Sequence, residues 1–334
     1  MQASGRHAGL GLALVSAFAF GGSGVAAKPL IEAGLDPLHM VWLRVAGAAL
    51  VLSPLAWCHR DLVRRRPALV AGFGLVAVAG VQAFYFASLS RIPVGVALLL
   101  EYLGPALLLG YIRFVQRKPV TRGAAAGAAV AVAGLACVVE IWAGLSLDLL
   151  GVLFGLAAAC CQAFYFVFAD QGADGDEVPD PLGVIVYGML VGTLVMTVIA
   201  RPWEIDWQVL GGQAAMGGTM VPAPVLLGWV VLIATVFAYL TGVVSVRKLS
   251  PQVAGVVAVL EAVVATVLAW IMLGEHLSTW QIVGGGLVLG GAFIAQSSRS
   301  GPAAQATPAA PATPEATVTP EADAAGLDRE TTRA

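Results

Sequence analysis

Two glutamates offer the richest chemistry in this chain. Glu101 ends the run Leu98-Leu99-Leu100-Glu101 and Glu261 ends Val259-Leu260-Glu261, each near the middle of a long apolar stretch. A carboxylate at the centre of a membrane helix costs about 2.5–3.5 kcal/mol, so each must face a cavity or a partner. Either it holds a substrate ammonium or a coupling proton, or it is a structural carboxylate, protonated or bonded to neighbouring helices. Arg44 is the only basic residue inside an apolar stretch. It recognises a substrate carboxylate or pairs with a buried glutamate, unless it snorkels to the nearby interface along its own methylenes. Gln82, Tyr85, Tyr102, Gln162, Tyr165 and Tyr239 are suited to line the same cavity, and equally able to bridge helices.

Other reactive side chains form no constellation. Cys58, Cys137, Cys160 and Cys161 sit in apolar stretches without a CxxC spacing, and read as small packing residues. His7, His39, His59 and His276 make no HxxxH or HExxH pair, so neither a metal nor another cofactor is expected. With a net charge of −2 there is no basic field for nucleic acid.

The elements that must position these residues follow from composition. Of 334 residues, 59% are hydrophobic and 11% charged, where a soluble domain carries about 25% charged residues. Mean hydropathy is +0.86, which excludes a soluble enzyme. A spanning helix needs about 20 mostly apolar residues. Candidates are 8–27, 38–58, 68–89, 93–112, 123–142, 149–169, 182–200, 224–245, 252–273 and 279–296, ten in all. Continuous runs rather than alternation make the fold class all-α integral membrane. The first run is too long for the core of a secretion signal, so it is expected to stay in place despite the tolerable cleavage site Gly24-Val25-Ala26. The stretch Gly284-Gly285-Gly286 with Gly290-Gly291 reads as a helix-packing face.

Lysine and arginine set the orientation. With residues 1–7 cytoplasmic, inner segments hold Arg6, Arg60, Arg64, Arg65, Arg66, Arg113, Arg117, Lys118, Arg122, Arg247, Lys248 and Arg299, whereas outer segments hold Lys28, Arg91 and Arg201. Both termini are therefore expected inside. Residues 297–334, rich in Ala, Pro and Thr, read as a disordered cytoplasmic tail. The acidic stretch with Asp170, Asp174, Asp176, Glu177 and Asp180 reads as a solvated turn, and 201–223 as a long irregular outer loop. Trp42, Trp57 and Trp142 read as interfacial anchors. Ser278-Thr279-Trp280-Gln281 has the spacing of a capping box that starts the last helix, with Glu275 before it at the outer surface.

Shifting the sequence by 160 lays residues 89–101 on 249–261, with six of thirteen positions identical, both glutamates included. Five helices separate the copies, so 8–142 and 149–296 read as two five-helix repeats of opposite orientation. Inverted repeats are a mark of secondary transporters, whose substrate sits near the midplane between halves.

The stretch Pro93-Val94-Gly95-Val96-Ala97 leading to Glu101-Tyr102-Leu103-Gly104-Pro105 resembles the drug/metabolite transporter superfamily, EamA family. So does Leu260-Glu261 followed by Leu273-Gly274-Glu275-His276-Leu277-Ser278 and Gln281. The basic turn Arg117-Lys118-Pro119 is most similar to the threonine/homoserine exporter branch of bacterial inner-membrane proteins. The resemblance covers about 8–296. It implies two EamA repeats, a central cavity, and export of amino acids or similar small metabolites from the bacterial cytoplasm by alternating access, with proton or counter-solute coupling. One departure stands out: the family's usual proline after the second glutamate is replaced by Ala262. No GxxxxGK[ST] motif is present, so transport would not be driven by ATP. The partners implied are a small-molecule substrate and membrane lipid. An exporter of other drugs or metabolites is the first alternative; a membrane enzyme acting on lipid-linked substrates would need an interfacial polar cluster that the sequence lacks, and a scaffold using the tail would fail on deletion of 297–334 where a transporter would survive.

Overall fold

The computed structural model describes residues 2–140, 147–172, 179–246 and 251–299, with side chains for 11–140, 147–164, 179–244, 260–295 and 297–298. The chain is a helical bundle: α1 Gln2–Glu32, α2 Pro37–Cys58, α3 Arg60–Arg65, α4 Pro67–Gly72, α5 Val81–Leu89, α6 Val94–Glu101, α7 Gly104–Gly110, α8 Arg122–Val139, α9 Leu149–Gly172, α10 Pro181–Ala200, α11 Trp207–Gly211, α12 Ala223–Gly228, α13 Ala238–Val246, α14 Pro251–Leu273 and α15 Thr279–Arg299. Wide π-helical turns join α4 to α5 (Phe73–Gly80) and α12 to α13 (Trp229–Phe237), and extend α7 over Tyr111–Val115. Among the described residues, seven of the resulting helices are long and apolar enough to cross a membrane, and the described apolar parts of α9, α14 and α15 add three shorter ones.

Helix ends are chemically marked. The Asp36 side chain accepts from Leu38 N, that of Asp180 from Leu182 N and that of Thr121 from Ala124 N, each satisfying an otherwise unpaired N–H of a first turn. The expected capping box is present: Gln281 N donates to Ser278 Oγ at 3.1 Å and Ser278 N to Gln281 Oε1 at 3.0 Å. Ser278 Oγ also donates to Glu140, tying the end of α8 to the start of α15. At the start of α9, the backbone N–H of Gly151, aided by Arg91, holds the Asp148 carboxyl below its usual range.

Packing follows a reciprocal pattern. Helix α1 lies against α13 and α14, while α9 lies against α5, α6 and α7; α2 crosses α10, and α8 pairs with α15. The α2–α10 crossing is fixed by Trp42 Nε1 donating to Thr197 Oγ1 at 2.8 Å and Tyr187 Oη donating to Ala56 O at 2.8 Å. Trp42 is thus a helix-bridging residue rather than an interfacial anchor. Trp57, exposed under the Arg60 guanidinium, fits the anchor reading, and Trp142 lies outside the described residues.

The glycine face of α15 meets α8 as expected. A Cβ on Gly284 would stand 2.6 Å from Gly134 O, and one on Gly134 would stand 2.6 Å from Val288 N. Backbone atoms cannot yield as side-chain tips do. Gly134→Val is therefore expected to cost about 1–3 kcal/mol, seen as a lower midpoint of thermal unfolding in detergent. Gly286→Val, with nothing near its Cβ position, should leave the midpoint in place; equal shifts in both variants would refute the packing account.

Several expectations are corrected. Residues 201–223 are not irregular: Pro202–Glu204 forms a 3-10 turn, α11 follows, and Gln213–Met216 pairs antiparallel with Thr219–Pro222. Gly217 and Gly218, at φ +55° and +82°, supply the left-handed pair that a two-residue hairpin turn demands. The fold is thus helical with one short hairpin. The span 93–112 runs on as Val94–Val115, with a turn at Tyr102–Leu103 between α6 and α7 and Pro105 near the start of α7. Cys58 and Cys160 are exposed rather than packed, because they occupy outward helix faces. Glu275 has a structural role, its side chain 12% exposed and ion-paired with Lys28. Asp174, Asp176, Glu177, Arg247, Lys248 and the tail from residue 300 lie outside the described residues, as do the side chains of Arg6, His7 and Arg299.

Candidate functional site

The bundle encloses a cavity of about 200 Å³ whose wall includes Phe20 and Ser23 of α1, Arg44 of α2, Gln82 and Tyr85 of α5, and Glu101 of α6. Tyr102 at the α6–α7 break, Gln162 of α9, Tyr239 of α13 and Glu261 of α14 complete its polar lining. Close approach of α1 makes this possible. A Cβ on Gly21 would stand 3.0 Å from Glu261 O, so a bare backbone here seats α1 against the turn that carries Glu261. Phe20 then meets Tyr239 edge-on at 4.9 Å, and Ser16 Oγ donates to Ala238 O at 2.8 Å.

Arg44 is 4% exposed, which removes the snorkelling alternative. Its Nε donates to Thr235 Oγ1 at 2.9 Å, its Nη1 to Ser23 Oγ at 2.7 Å and Gln82 Oε1 at 3.0 Å, and its Nη2 to Ala234 O at 3.4 Å. Phe86 lies under the guanidinium, 5.5 Å from ring centroid to Cζ. Every one of these partners is neutral, and among the described residues no carboxylate lies within ion-pair distance of Arg44. A guanidinium has five N–H groups, and these four bonds leave one on Nη2 unengaged. A buried charge wants an opposite charge or dense hydrogen bonding; here hydrogen bonds hold the cation, and Glu101 and Glu261 share its cavity beyond ion-pair distance.

The carboxylates differ in their surroundings. Glu101 Oε1 accepts from Gln162 Nε2 at 3.2 Å, whereas Glu261 accepts from the Tyr102 hydroxyl. Two carboxylates and one guanidinium thus line one small cavity.

The profile of the EamA-like transporter family matches residues 7–140 and again 149–296. The chain belongs to the EamA-like transporter family. Curated relatives of this EamA-like protein include the threonine/homoserine exporter RhtA of Escherichia coli K12, 26% identical over 74% of this chain and 77% of its own. RhtA of Salmonella typhimurium LT2 is 26% identical over 72% and 75%, respectively. An uncharacterized transporter of Archaeoglobus fulgidus is 23% identical over 78% and 87%. A solved crystal structure aligns at a TM-score of 0.55 and 20% identity, covering 88% of this chain and 99% of the other, which supports the fold. Family and relatives are transporters, not enzymes, and this EamA chain is accordingly a multi-pass membrane transporter for a small molecule.

Of the residues singled out by sequence, Arg44, Gln82, Tyr85, Glu101, Tyr102, Gln162, Tyr239 and Glu261 meet in this EamA cavity, while the Tyr165 side chain lies outside the described residues. Sequence reading missed Ser23 and Thr235. For Ser23 a signal existed: a lone hydroxyl within Gly21-Gly22-Ser23-Gly24, where the helix surface is open to neighbours.

Proposed function

We propose that this transporter is a secondary exporter of threonine- or homoserine-like amino acids, or of similar small metabolites, across the bacterial inner membrane by alternating access. The observation that carries this reading is the Arg44 guanidinium, held only by neutral groups, on one cavity with Glu101 and Glu261. Arg44 takes the substrate carboxylate, Glu101 with Glu261 takes the ammonium or a coupling proton, and Gln82, Tyr85, Tyr102, Gln162, Tyr165 and Tyr239 shape the pocket. The names of the RhtA relatives support the substrate class. Ten spans in two inverted five-helix repeats, 8–142 and 149–296, with both termini and a disordered tail in the cytoplasm, complete the reading. Its support is the reciprocal packing, in which α1 contacts α13 and α14 as α9 contacts α5, α6 and α7. A π-helical stretch in the third span of each repeat agrees with it. The test is efflux of labelled threonine or homoserine from proteoliposomes, with proton and counter-solute gradients imposed in turn; no movement of either solute, or of other small amino acids, under any gradient would sink the proposal.

In this reading the Lys28 end of the bundle faces outward and is shut. Lys28 Nζ donates to Glu275 Oε1 at 2.6 Å and to Ile92 O at 3.2 Å, while Glu275 Oε2 accepts from Val94 N at 2.9 Å. One carboxylate thus straps the α14–α15 connection to α1 and α6, the helices that bear Ser23 and Glu101. Glu275→Gln removes the ion pair and should favour the outward-open state about tenfold, as about 1.4 kcal/mol would. The readout is labelling of a Leu98→Cys reporter by a membrane-impermeant thiol reagent added outside; an unchanged labelling rate would deny the strap its closing role.

A further inference from the structure

The proposed function makes Arg44 the carboxylate receptor, yet a guanidinium on a flexible stem recognises a carboxylate only if it is aimed. The aiming comes from the other side of the bundle. Thr235 sits in the π-helical stretch Trp229–Phe237, is fully buried, and donates its hydroxyl proton to Val230 O at 2.7 Å. Its only proton is thereby committed to a carbonyl five residues back, the step that a π turn brings into line. The oxygen lone pairs are left to face Arg44, whose Nε they receive at 2.9 Å. The preceding residue turns its carbonyl, Ala234 O, toward Nη2 of the same guanidinium. Ser23 closes the opposite edge by accepting from Nη1 at 2.7 Å.

We infer that Thr235, presented by the π-helical turn and assisted by Ser23, is a positioning residue that sets the substrate's carboxylate selectivity by fixing the plane of Arg44. With Nε, both Nη1 protons and one Nη2 proton engaged, the remaining Nη2 proton has a defined direction. The inference rests on the reading of Arg44 as carboxylate receptor. It adds a role for Ser23 of α1 and for Thr235 of the turn between α12 and α13, acting through Arg44. Because Arg44 belongs to the first family match and Thr235 to the second, the receptor is complete only where the two meet.

The experiment is a binding titration of purified protein with L-threonine and with L-threoninamide, whose carboxylate is replaced by a neutral amide. Wild type should prefer the acid. Thr235→Val keeps the shape and removes the hydroxyl; it should shrink the acid-to-amide preference by about tenfold, the loss of one hydrogen bond to a charged group, and move amide affinity less than acid affinity. Thr235→Ser should restore the preference, and Ser23→Ala should lower it in the same sense. Thermal midpoints of each variant, measured alongside, separate misfolding from misaiming. Equal weakening for acid and amide in folded Thr235→Val would overturn the inference and leave Thr235 a packing residue. If Arg44→Lys also leaves the acid-to-amide preference intact, or if wild type shows none, the carboxylate-receptor reading itself falls, and the inference with it. Loss of preference in Arg44→Lys but not in Thr235→Val rejects the positioning role alone.

Discussion

Glu101→Gln is expected to lower substrate efflux about a hundredfold, the order of effect that follows truncation of one partner in a buried charge pair. The substitution keeps the size of the side chain and an oxygen that can still receive Gln162 Nε2, now found at 3.2 Å from Oε1. Only the charge is lost. With it goes the counter-charge for a substrate ammonium, or the base that a coupling proton would occupy. Glu261→Gln should fall short of that loss, because its carboxylate already has the Tyr102 hydroxyl as donor and serves a helix-bridging contact as well. The measurement is initial efflux of labelled threonine from proteoliposomes holding equal amounts of folded wild type and variant. Rates within twofold of each other would show that Glu101 is a structural carboxylate, and attention would pass to Arg44 and the tyrosines.

The helices were legible in the sequence because membrane insertion demands long apolar runs, and their ends were legible where Asp36-Pro37, Asp180-Pro181 and Ser278-x-x-Gln281 announce a first turn. The hairpin was not. Gln213–Met216 and Thr219–Pro222 carry little β-branched or aromatic character, and only Gly217-Gly218 between them signalled a reversal. The charged members of the cavity stood out because a charge in a span is costly; its hydroxyl members did not. In an apolar helix a hydroxyl ordinarily returns to its own backbone, as Thr193 does to Met189 O and Thr266 to Ala262 O. Thr235 also bonds its own helix, but the wide turn leaves its oxygen free to receive Arg44, and no local pattern reveals that turn. The partner of Glu275 was hidden for a related reason: Lys28 lies 247 residues away, and pairing at such separation is a property of the fold.

Arg44→Gln is expected to abolish specific export, with a loss of at least about a hundredfold, and to destabilise the protein as well. The reasons are separate. For transport, the glutamine amide offers two weaker donors where the guanidinium offers five, and no charge for a carboxylate. For stability, Ser23, Gln82, Thr235 and Ala234 O lose the donor that satisfies them, and an unpaired buried acceptor costs about 1–3 kcal/mol. Glu101 and Glu261 would also share the cavity without a cation on its wall. Arg44→Lys divides the two effects. It keeps the charge, so folding should largely recover, but the three donors of an ammonium cannot serve Thr235, Ser23 and Gln82 and still leave one for a carboxylate. Efflux in Arg44→Lys should therefore stay well below wild type while its thermal midpoint rises back toward it. If lysine restores export together with stability, Arg44 acts as a counter-charge to the glutamates, and the substrate's carboxylate must be held elsewhere in the cavity.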